Sequence, residues 1–297
     1  MKVTLTGATG FVGSHVLREL QEHGHSVTAL VRDASHADAI ADRGATATVV
    51  DLYDRAALVG ILRDADAAIH TASPGDATSA DLDSAVADAA IEAFAGSGKP
   101  YLQISGLWIY GNNLSVSEES PIDSPPLVAW REQIERRLLA VPDMRGVVIT
   151  SGVAYGDGGG GVPGVLLGSP RDDAGNLIMV GTGRQHWATV HVADLANFFR
   201  LALEQDSARG RYVIGNGEDA TVAEVTEAAA VAAGAPGAVP GSDDEAKARL
   251  GAYFAEVLLL DQGTAATKAR AELGWAPSHP GLAEEFRDGS YRKVRTG

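Results

Sequence analysis

Thr6-Gly7-Ala8-Thr9-Gly10-Phe11-Val12-Gly13 decides the reading of this chain. It follows directly on Lys2–Thr6, a short apolar and β-branched run that reads as a strand. It opens onto Val12, Val16, Leu17 and Leu20, which recur at helical spacing. A glycine turn in that strand-to-helix context suits a dinucleotide. Gly7 permits the tight turn, Gly10 lets the backbone approach a pyrophosphate, and Gly13 lets the helix pack close to the strand. Thr9, Phe11 and Val12 complete the expected cofactor stretch, since a helix N-terminus offers free N–H groups and partial positive charge. The competing reading, a glycine-rich turn with no ligand, explains the residues less fully.

Outward from this turn, Ser26–Val31, Thr46–Val50, Ala67–Thr71, Tyr101–Ser105 and Gly146–Thr150 are further short apolar runs separated by helical patterns. They are continuous rather than alternating, as in strands buried on both faces of a parallel sheet. The predicted fold class is α/β, a doubly wound Rossmann sheet with a smaller, mostly helical C-terminal substrate lobe. Residues 1–156 form the dinucleotide-binding domain, with 190–217 returning to it, and 157–189 plus 218–297 form the lobe. Val190–Leu203 reads as helix and Arg211–Gly215 as strand, while Gly156–Gly168 contains a GDGGGGVPG stretch that reads as neither. Three or four short helices are expected after Thr221.

The 297 residues include no cysteine, which removes zinc thiolates, iron–sulfur clusters and thiol nucleophiles; no metal site is expected. The net charge of −15 makes phosphate backbones and anionic lipid poor partners; no nucleic acid and no membrane are expected, only a small-molecule substrate. The start MKVTLTGATG has no basic segment followed by a long apolar one, which fits a cytoplasmic protein.

The second strand ends Val31-Arg32-Asp33. An acid at the tip selects the ribose hydroxyl of NAD, whereas a guanidinium can hold the 2′-phosphate of NADP. Arg32 occupies the tip, so NADP(H) is favoured over NAD(H), with Asp33 one residue later as the counter-argument.

At this point the chain resembles the extended short-chain dehydrogenase/reductase superfamily, which includes nucleotide-sugar epimerases and dehydratases. The resemblance rests on TGATGFVG at 6–13, Val50-Asp51-Leu52, His70-Thr71-Ala72-Ser73, Ser105 through Tyr110-Gly111, Val153-Ala154-Tyr155-Gly156, His191-Val192-Ala193-Asp194-Leu195-Ala196 and Leu273-Gly274-Trp275-Ala276-Pro277. It implies that Asp51 and Leu52 line the adenine pocket, that Thr71, Ala72 and Ser73 pass beside the ribose and nicotinamide, and that Ser151, Gly152 and Val153 lie by the nicotinamide. For His191 and Asp194, a helix-start role is favoured over a catalytic one.

The family's serine and Tyr-x-x-x-Lys are not intact. Leu127 stands where the tyrosine belongs and Arg131 where the lysine belongs, while the serine position aligns with Gly106, leaving Ser105 one residue early. The pattern is similar to an atypical branch in which a Ser-Gly-x-Trp-x-x-Gly-Asn stretch and a Trp-Arg pair replace the usual site; Ser105 to Asn112 and Trp130-Arg131 match it. Arg131 can bind a ribose but not shuttle a proton. Ser105, Tyr110, Arg131 and Tyr155 are the candidate catalytic residues, with His186 weighed beside them. Trp108, Trp130, Trp187 and Tyr110 are expected as an aromatic wall for a planar substrate.

The leading expectation is an NADP(H)-dependent oxidoreductase transferring hydride to or from a small organic substrate. The alternatives are a non-catalytic NAD(P)-binding sensor and a nucleotide-sugar epimerase or dehydratase. A homodimer through the predicted helices at 80–96 and 127–140 follows from the resemblance and their Ala- and Leu-rich faces.

Overall fold

A computed structural model describes residues 1–218 and 220–292; Asp219 and 293–297 of the predicted lobe lie outside the described residues. The strands are β1 (Lys2–Thr6), β2 (Ser26–Val31), β3 (Thr46–Val49), β4 (Ala67–His70), β5 (Pro100–Gly106), β6 (Arg145–Ser151), β7 (Val153–Tyr155), β8 (Leu177–Ile178), β9 (Thr189–His191), β10 (Gly210–Ile214) and β11 (Ala238–Val239). The helices are α1 (Phe11–Glu22), α2 (Ala34–Ala41), α3 (Arg55–Arg63), α4 (Ser79–Phe94), α5 (Trp130–Leu139), α6 (Gly161–Leu167), α7 (Val192–Glu204), α8 (Val222–Ala232), α9 (Asp243–Leu250), α10 (Ala252–Leu258), α11 (Thr267–Leu273) and α12 (Leu282–Asp288).

Seven strands form one parallel sheet in the order β10-β6-β5-β4-β1-β2-β3. The order reverses between β1 and β4, where Thr6 pairs with His70, and such a reversal leaves a crevice at the carboxyl ends of the strands. Neighbouring residues of one strand feed opposite cores: Leu102 joins Val3, Leu5, Leu17 and Phe198 on the α1/α7 face, and Tyr101 joins Leu58, Phe94 and Leu138 on the α3/α4/α5 face. Burial on both faces explains the unbroken apolar runs.

A third core holds the smaller lobe together around Tyr155, Val162, Leu166, Trp187, Val225, Leu258 and Phe286. The chain leaves the sheet after β6 and comes back as α7 against α1 and β10 against β6. The segment read as neither helix nor strand contains α6, with Pro163 in its first turn, where a missing N–H costs little. Its Val162 and Leu166 bury in the lobe core. Val190 and His191 are strand rather than helix, because β9 pairs with β7. Five short helices, not three or four, follow Thr221 among the described residues.

The apolar faces expected to pair in a dimer are used inside the monomer: Ala87, Ala90, Ile134 and Leu138 belong to the core. Outward, α4 and α5 carry ion pairs such as Arg137–Asp88 at 2.6 Å and Glu132–Arg136. Among the described residues no helix is long and apolar enough to cross a membrane.

Candidate functional site

The glycine turn sits at the reversal point with no slack. Gly7 has φ +76°, and a Cβ there would lie 2.5 Å from the Ala72 nitrogen. A Cβ on Gly13 would lie 2.1 Å from the Gly7 carbonyl oxygen. By contrast Gly10 and Thr9 are exposed, and Gly10 caps α1 without a side-chain hydrogen bond. The first-turn amides of Phe11, Val12 and Gly13 are thus left for a ligand, at the positive end of a helix of 12 residues. This bare, glycine-walled cradle fits a pyrophosphate.

At the adenosine end Arg32 is exposed just past β2. The Asp33 carboxylate is engaged as the N-cap of α2, accepting from His36 N at 3.1 Å and Ser35 Oγ at 2.7 Å, which holds it well below the usual carboxylate range. Asp33 therefore faces its own helix rather than a ribose. Arg43, which the sequence reading missed, reaches back along α1 so that Nη1 lies 3.4 Å from the Ala8 carbonyl. It lines a cleft of about 390 Å³ with Ser14, His15, Arg18 and Asp157. Asp51 is exposed and accepts from Tyr53 N at 2.9 Å, and Leu52 packs half-buried against the α3/α4 core.

Toward the other half of the crevice, Thr71 and Ala72 lie directly under Gly7, and Thr71 Oγ1 donates to the Thr6 carbonyl at 2.8 Å. Ser73 is exposed, its Oγ 3.4 Å from that of the buried Ser79. Ser151, Gly152 and Val153 are spoken for by the protein: Ser151 Oγ donates to the Ser105 carbonyl, a Cβ on Gly152 would meet the Ala188 oxygen at 2.5 Å, and Val153 packs on the lobe core. Leu127 is 37% exposed and precedes α5 rather than riding on it. Arg131, in the first turn of α5, lays its guanidinium over the Trp130 ring at 4.4 Å.

Three of the four candidate catalytic side chains are turned away from the crevice. Ser105 is still in β5, so strand alternation points it at α5, where its Oγ donates to Glu135 at 2.5 Å. Tyr110 is buried in a small cluster with Leu107 and Val213, and burial pushes its phenol up to about 12. Tyr155 is fully buried, donates to the Pro280 carbonyl at 2.8 Å, and burial raises its pKa strongly. Only Arg131 of the four keeps an accessible edge. His186 is tied to Asp261 at 2.8 Å. The aromatic wall is also smaller than expected: Trp187 and Tyr110 are buried, leaving Trp108, met edge-on by Phe254 at 6.2 Å, and Trp130.

Gly106 has an ordinary strand conformation, φ −129°, and a Cβ there would meet nothing within 4 Å. Gly106→Ser is therefore expected to fold with a stability change within about 0.5 kcal/mol, measured by urea unfolding. Ser105→Ala is expected to cost about 1–2 kcal/mol by leaving one Glu135 oxygen without its donor. A neutral Ser105→Ala and a destabilising Gly106→Ser would reverse this assignment of faces.

The loop after β7 is clasped onto the glycine turn. A Cβ on Gly159 would sit 2.5 Å from the Phe11 ring, Asp157 pairs with His15 at 2.8 Å, and the Tyr291 hydroxyl bridges Gly156 N and the Gly159 carbonyl. Beneath it His191 caps α7 through Nδ1, and its ring stacks on His279 at 4.1 Å with an angle of 4°. Asp194 accepts from Ser278 N and Oγ and from His279 N and Nδ1. The ligand atoms of His191, Asp194 and His279 lie within 4.8 Å of one another, a spacing that could hold a metal ion where none was expected from the sequence; here they are engaged in a hydrogen-bonded tie to the α7 N-terminus and to Ser278. This gives His191 and Asp194 structural roles.

Burial, aided by His279, lowers the His191 pKa, so the folded state resists a proton that the unfolded chain accepts below about pH 6.5. Stability from this group is present above that pH and lost as pH falls toward the folded value. Thermal unfolding should show His191→Asn, which keeps a capping oxygen, with a shallower loss of Tm between pH 7 and 5.5. An unchanged slope would remove His191 from the account.

A parallel sheet with a glycine cradle at its reversal point defines an NAD(P)-binding Rossmann fold with an added smaller lobe. A family model described as NAD(P)H-binding matches residues 7–138. The chain is 29% identical to a 3-diazoavenalumate denitrifying reductase of a Streptomyces species, covering 99% of this chain and all of that protein. The human epimerase family protein SDR39U1 (isoform 2) with NADPH superposes at TM-score 0.76 with 23% identity, over 98% of this chain and 99% of that one. UDP-glucose 4-epimerase of Thermus thermophilus, in complex with NAD, gives TM-score 0.76 at 23% identity over 99% and 100%. These likenesses agree with the resemblance to the extended, atypical short-chain dehydrogenase/reductases carried by the motifs.

Proposed function

We propose that this protein is an NADP(H)-dependent oxidoreductase that transfers hydride to or from a small organic substrate. The observation that carries the cofactor choice is the state of Asp33: its carboxylate is consumed as a helix cap, while Arg32 and Arg43 offer guanidiniums at the adenosine end of the crevice. Two guanidiniums there suit a 2′-phosphate by charge-assisted hydrogen bonds. The NADPH in the human structure supports the same reading, while the NAD in the bacterial epimerase is the contrast to be tested.

Bound NADPH would supply a hydride from C4 of its nicotinamide. The protein's own part is to hold the pyrophosphate on the α1 amides, hold the ribose with Arg131, and offer the substrate a wall of Gly106, Leu127 and Trp108. With Ser105, Tyr110 and Tyr155 turned inward, that wall lacks a proton donor. Such a site favours an electrophile that accepts hydride without enzyme acid, such as an iminium, or a conjugated alkene protonated later by water. The diazo chemistry named for the Streptomyces relative is of this electron-poor kind. Epimerisation, which needs a proton acceptor, is correspondingly disfavoured.

The test is a fluorescence titration with NADPH and NADH, followed by a panel of iminium, diazo and enone substrates. NADPH is expected to bind more tightly, and Arg32→Ala to weaken NADPH by about 10- to 100-fold while sparing NADH. Equal affinities in the wild type would overturn the NADP choice. Tight binding without conversion of any substrate would favour the sensor reading.

A further inference from the structure

A buried polar chain runs behind the crevice and has no part in the reading above. His70 closes β4, Asp83 lies in α4 and Gln103 in β5, and all three are almost fully buried. Thr6 Oγ1 meets His70 Nδ1 at 2.6 Å, and His70 Nε2 meets Asp83 Oδ1 at 3.2 Å. From the other side the Tyr101 hydroxyl donates to Gln103 Oε1 at 3.0 Å, and Gln103 Nε2 donates to Asp83 Oδ2 at 3.3 Å. Thr6 Oγ1 also accepts weakly from Ala72 N, at 3.4 Å. Both ring nitrogens of His70 are thereby engaged, Nδ1 by Thr6 and Nε2 by Asp83.

The Asp83 carboxylate is thus fixed by His70 and Gln103, and its Oδ2 lies 3.5 Å from Arg131 Nη1. The guanidinium is held at two points, stacked over the Trp130 ring at 4.4 Å and with its Nη1 beside Asp83. Arg131 alone would be a long side chain with many rotamers, and fixing it before a ligand arrives removes an ordering cost from binding. Its place beside α4 and the β4–β5 edge puts it on the far side of the reversal point from Arg32. A dinucleotide laid across the crevice meets such a group with its nicotinamide half.

We propose that Asp83 is a positioning residue that fixes the Arg131 guanidinium for the nicotinamide-side ribose of the cofactor, in place of a directly placed lysine. The inference rests on the NAD(P)(H) reading. It assigns the polar chain from Thr6 to Tyr101 the task of holding Asp83 still.

The experiment is calorimetric titration of the full chain with NADPH and with 2′,5′-ADP, which carries only the adenosine half. Asp83→Asn is expected to weaken NADPH about tenfold, the size of one charge-assisted contact, and to leave 2′,5′-ADP within about twofold. Arg131→Ala should give the same split, and the double variant should lose no more than either single one, because both remove one interaction. Arg131→Lys should recover part of the NADPH affinity. Unchanged NADPH binding in Asp83→Asn, or equal losses for both ligands, overturns the proposal. Should Asp83→Asn not fold, Gln103→Met, which strips one donor from the carboxylate, must show the same split at about threefold, and equal affinities there overturn it as well. A wild type that binds neither ligand instead sinks the cofactor reading, and this inference with it.

Discussion

Gly13→Val is expected to abolish measurable cofactor binding and to destabilise the fold by about 3 kcal/mol or more, at the upper end of overpacking costs. The first β-carbon alone would meet Gly7 O at 2.1 Å, Gly7 C at 2.6 Å and Thr71 Oγ1 at 2.6 Å. Two of those atoms are backbone of the very turn that must cradle the pyrophosphate, and the third is tied to the Thr6 carbonyl. Nothing there can rotate aside, so α1 has to move away from β1 and the amides of its first turn lose their aim. Gly60→Ala serves as the control: it lies within α3, is exposed, and its added Cβ meets nothing within 4 Å. That change should stabilise by about 0.5–1 kcal/mol from helix propensity. Urea unfolding with NADPH titration reads both; a Gly13→Val protein with wild-type stability and affinity would remove the cradle from the account.

Arg211→Met is expected to cost about 3–5 kcal/mol, because it strands a charge. Glu135 is about 1% exposed, and its two oxygens are held by Ser105 Oγ and by Arg211, each at 2.5 Å. These bonds join α5 to Ser105 near the end of β5 and to Arg211 near the start of β10, one turn along α5 from Arg131. Removing the guanidinium leaves a buried carboxylate with one hydroxyl for company. Glu135→Gln combined with Arg211→Met should recover most of the loss, since neither partner is then charged, and this non-additivity is the signature of a buried pair. Equal stability of Arg211→Met and wild type in urea unfolding would contradict it.

The two predictions separate what was legible in the chain from what was not. Gly7, Gly10 and Gly13 announce their role because a tight strand-to-helix turn admits few residue types, and the sheet strands other than the half-exposed edge strand β3 were legible because burial on both faces forces continuous apolar runs. Arg32 was readable from its place at a strand tip. The charged groups that matter beside it were not read out: Arg43 lies eleven positions further on, and Asp83 sits in an Ala-rich helix. Asp83 did leave a trace, as a lone acid on the same helical face as Leu82, Val86 and Ala90.

Ser105 shows the limit from the other direction. A serine near the end of the fifth strand fits a catalytic pattern, yet one residue of register turns its hydroxyl onto Glu135 and leaves Gly106 facing open space. Tyr110 and Tyr155 are equally ambiguous as letters, since a packed phenol and an acid in a pocket differ only in what surrounds them.

The sequence by itself determined the doubly wound sheet, the glycine cradle at its reversal point and the loss of the tyrosine and lysine, because these follow from local geometry and from residue types present or missing. Only the tertiary structure decided that Asp33 caps a helix, that Ser105, Tyr110 and Tyr155 face the protein, and that Arg131 is held by Asp83. Each of those facts depends on side chains brought together from distant segments, or on a one-residue choice of face, and neither is set by spacing along the chain.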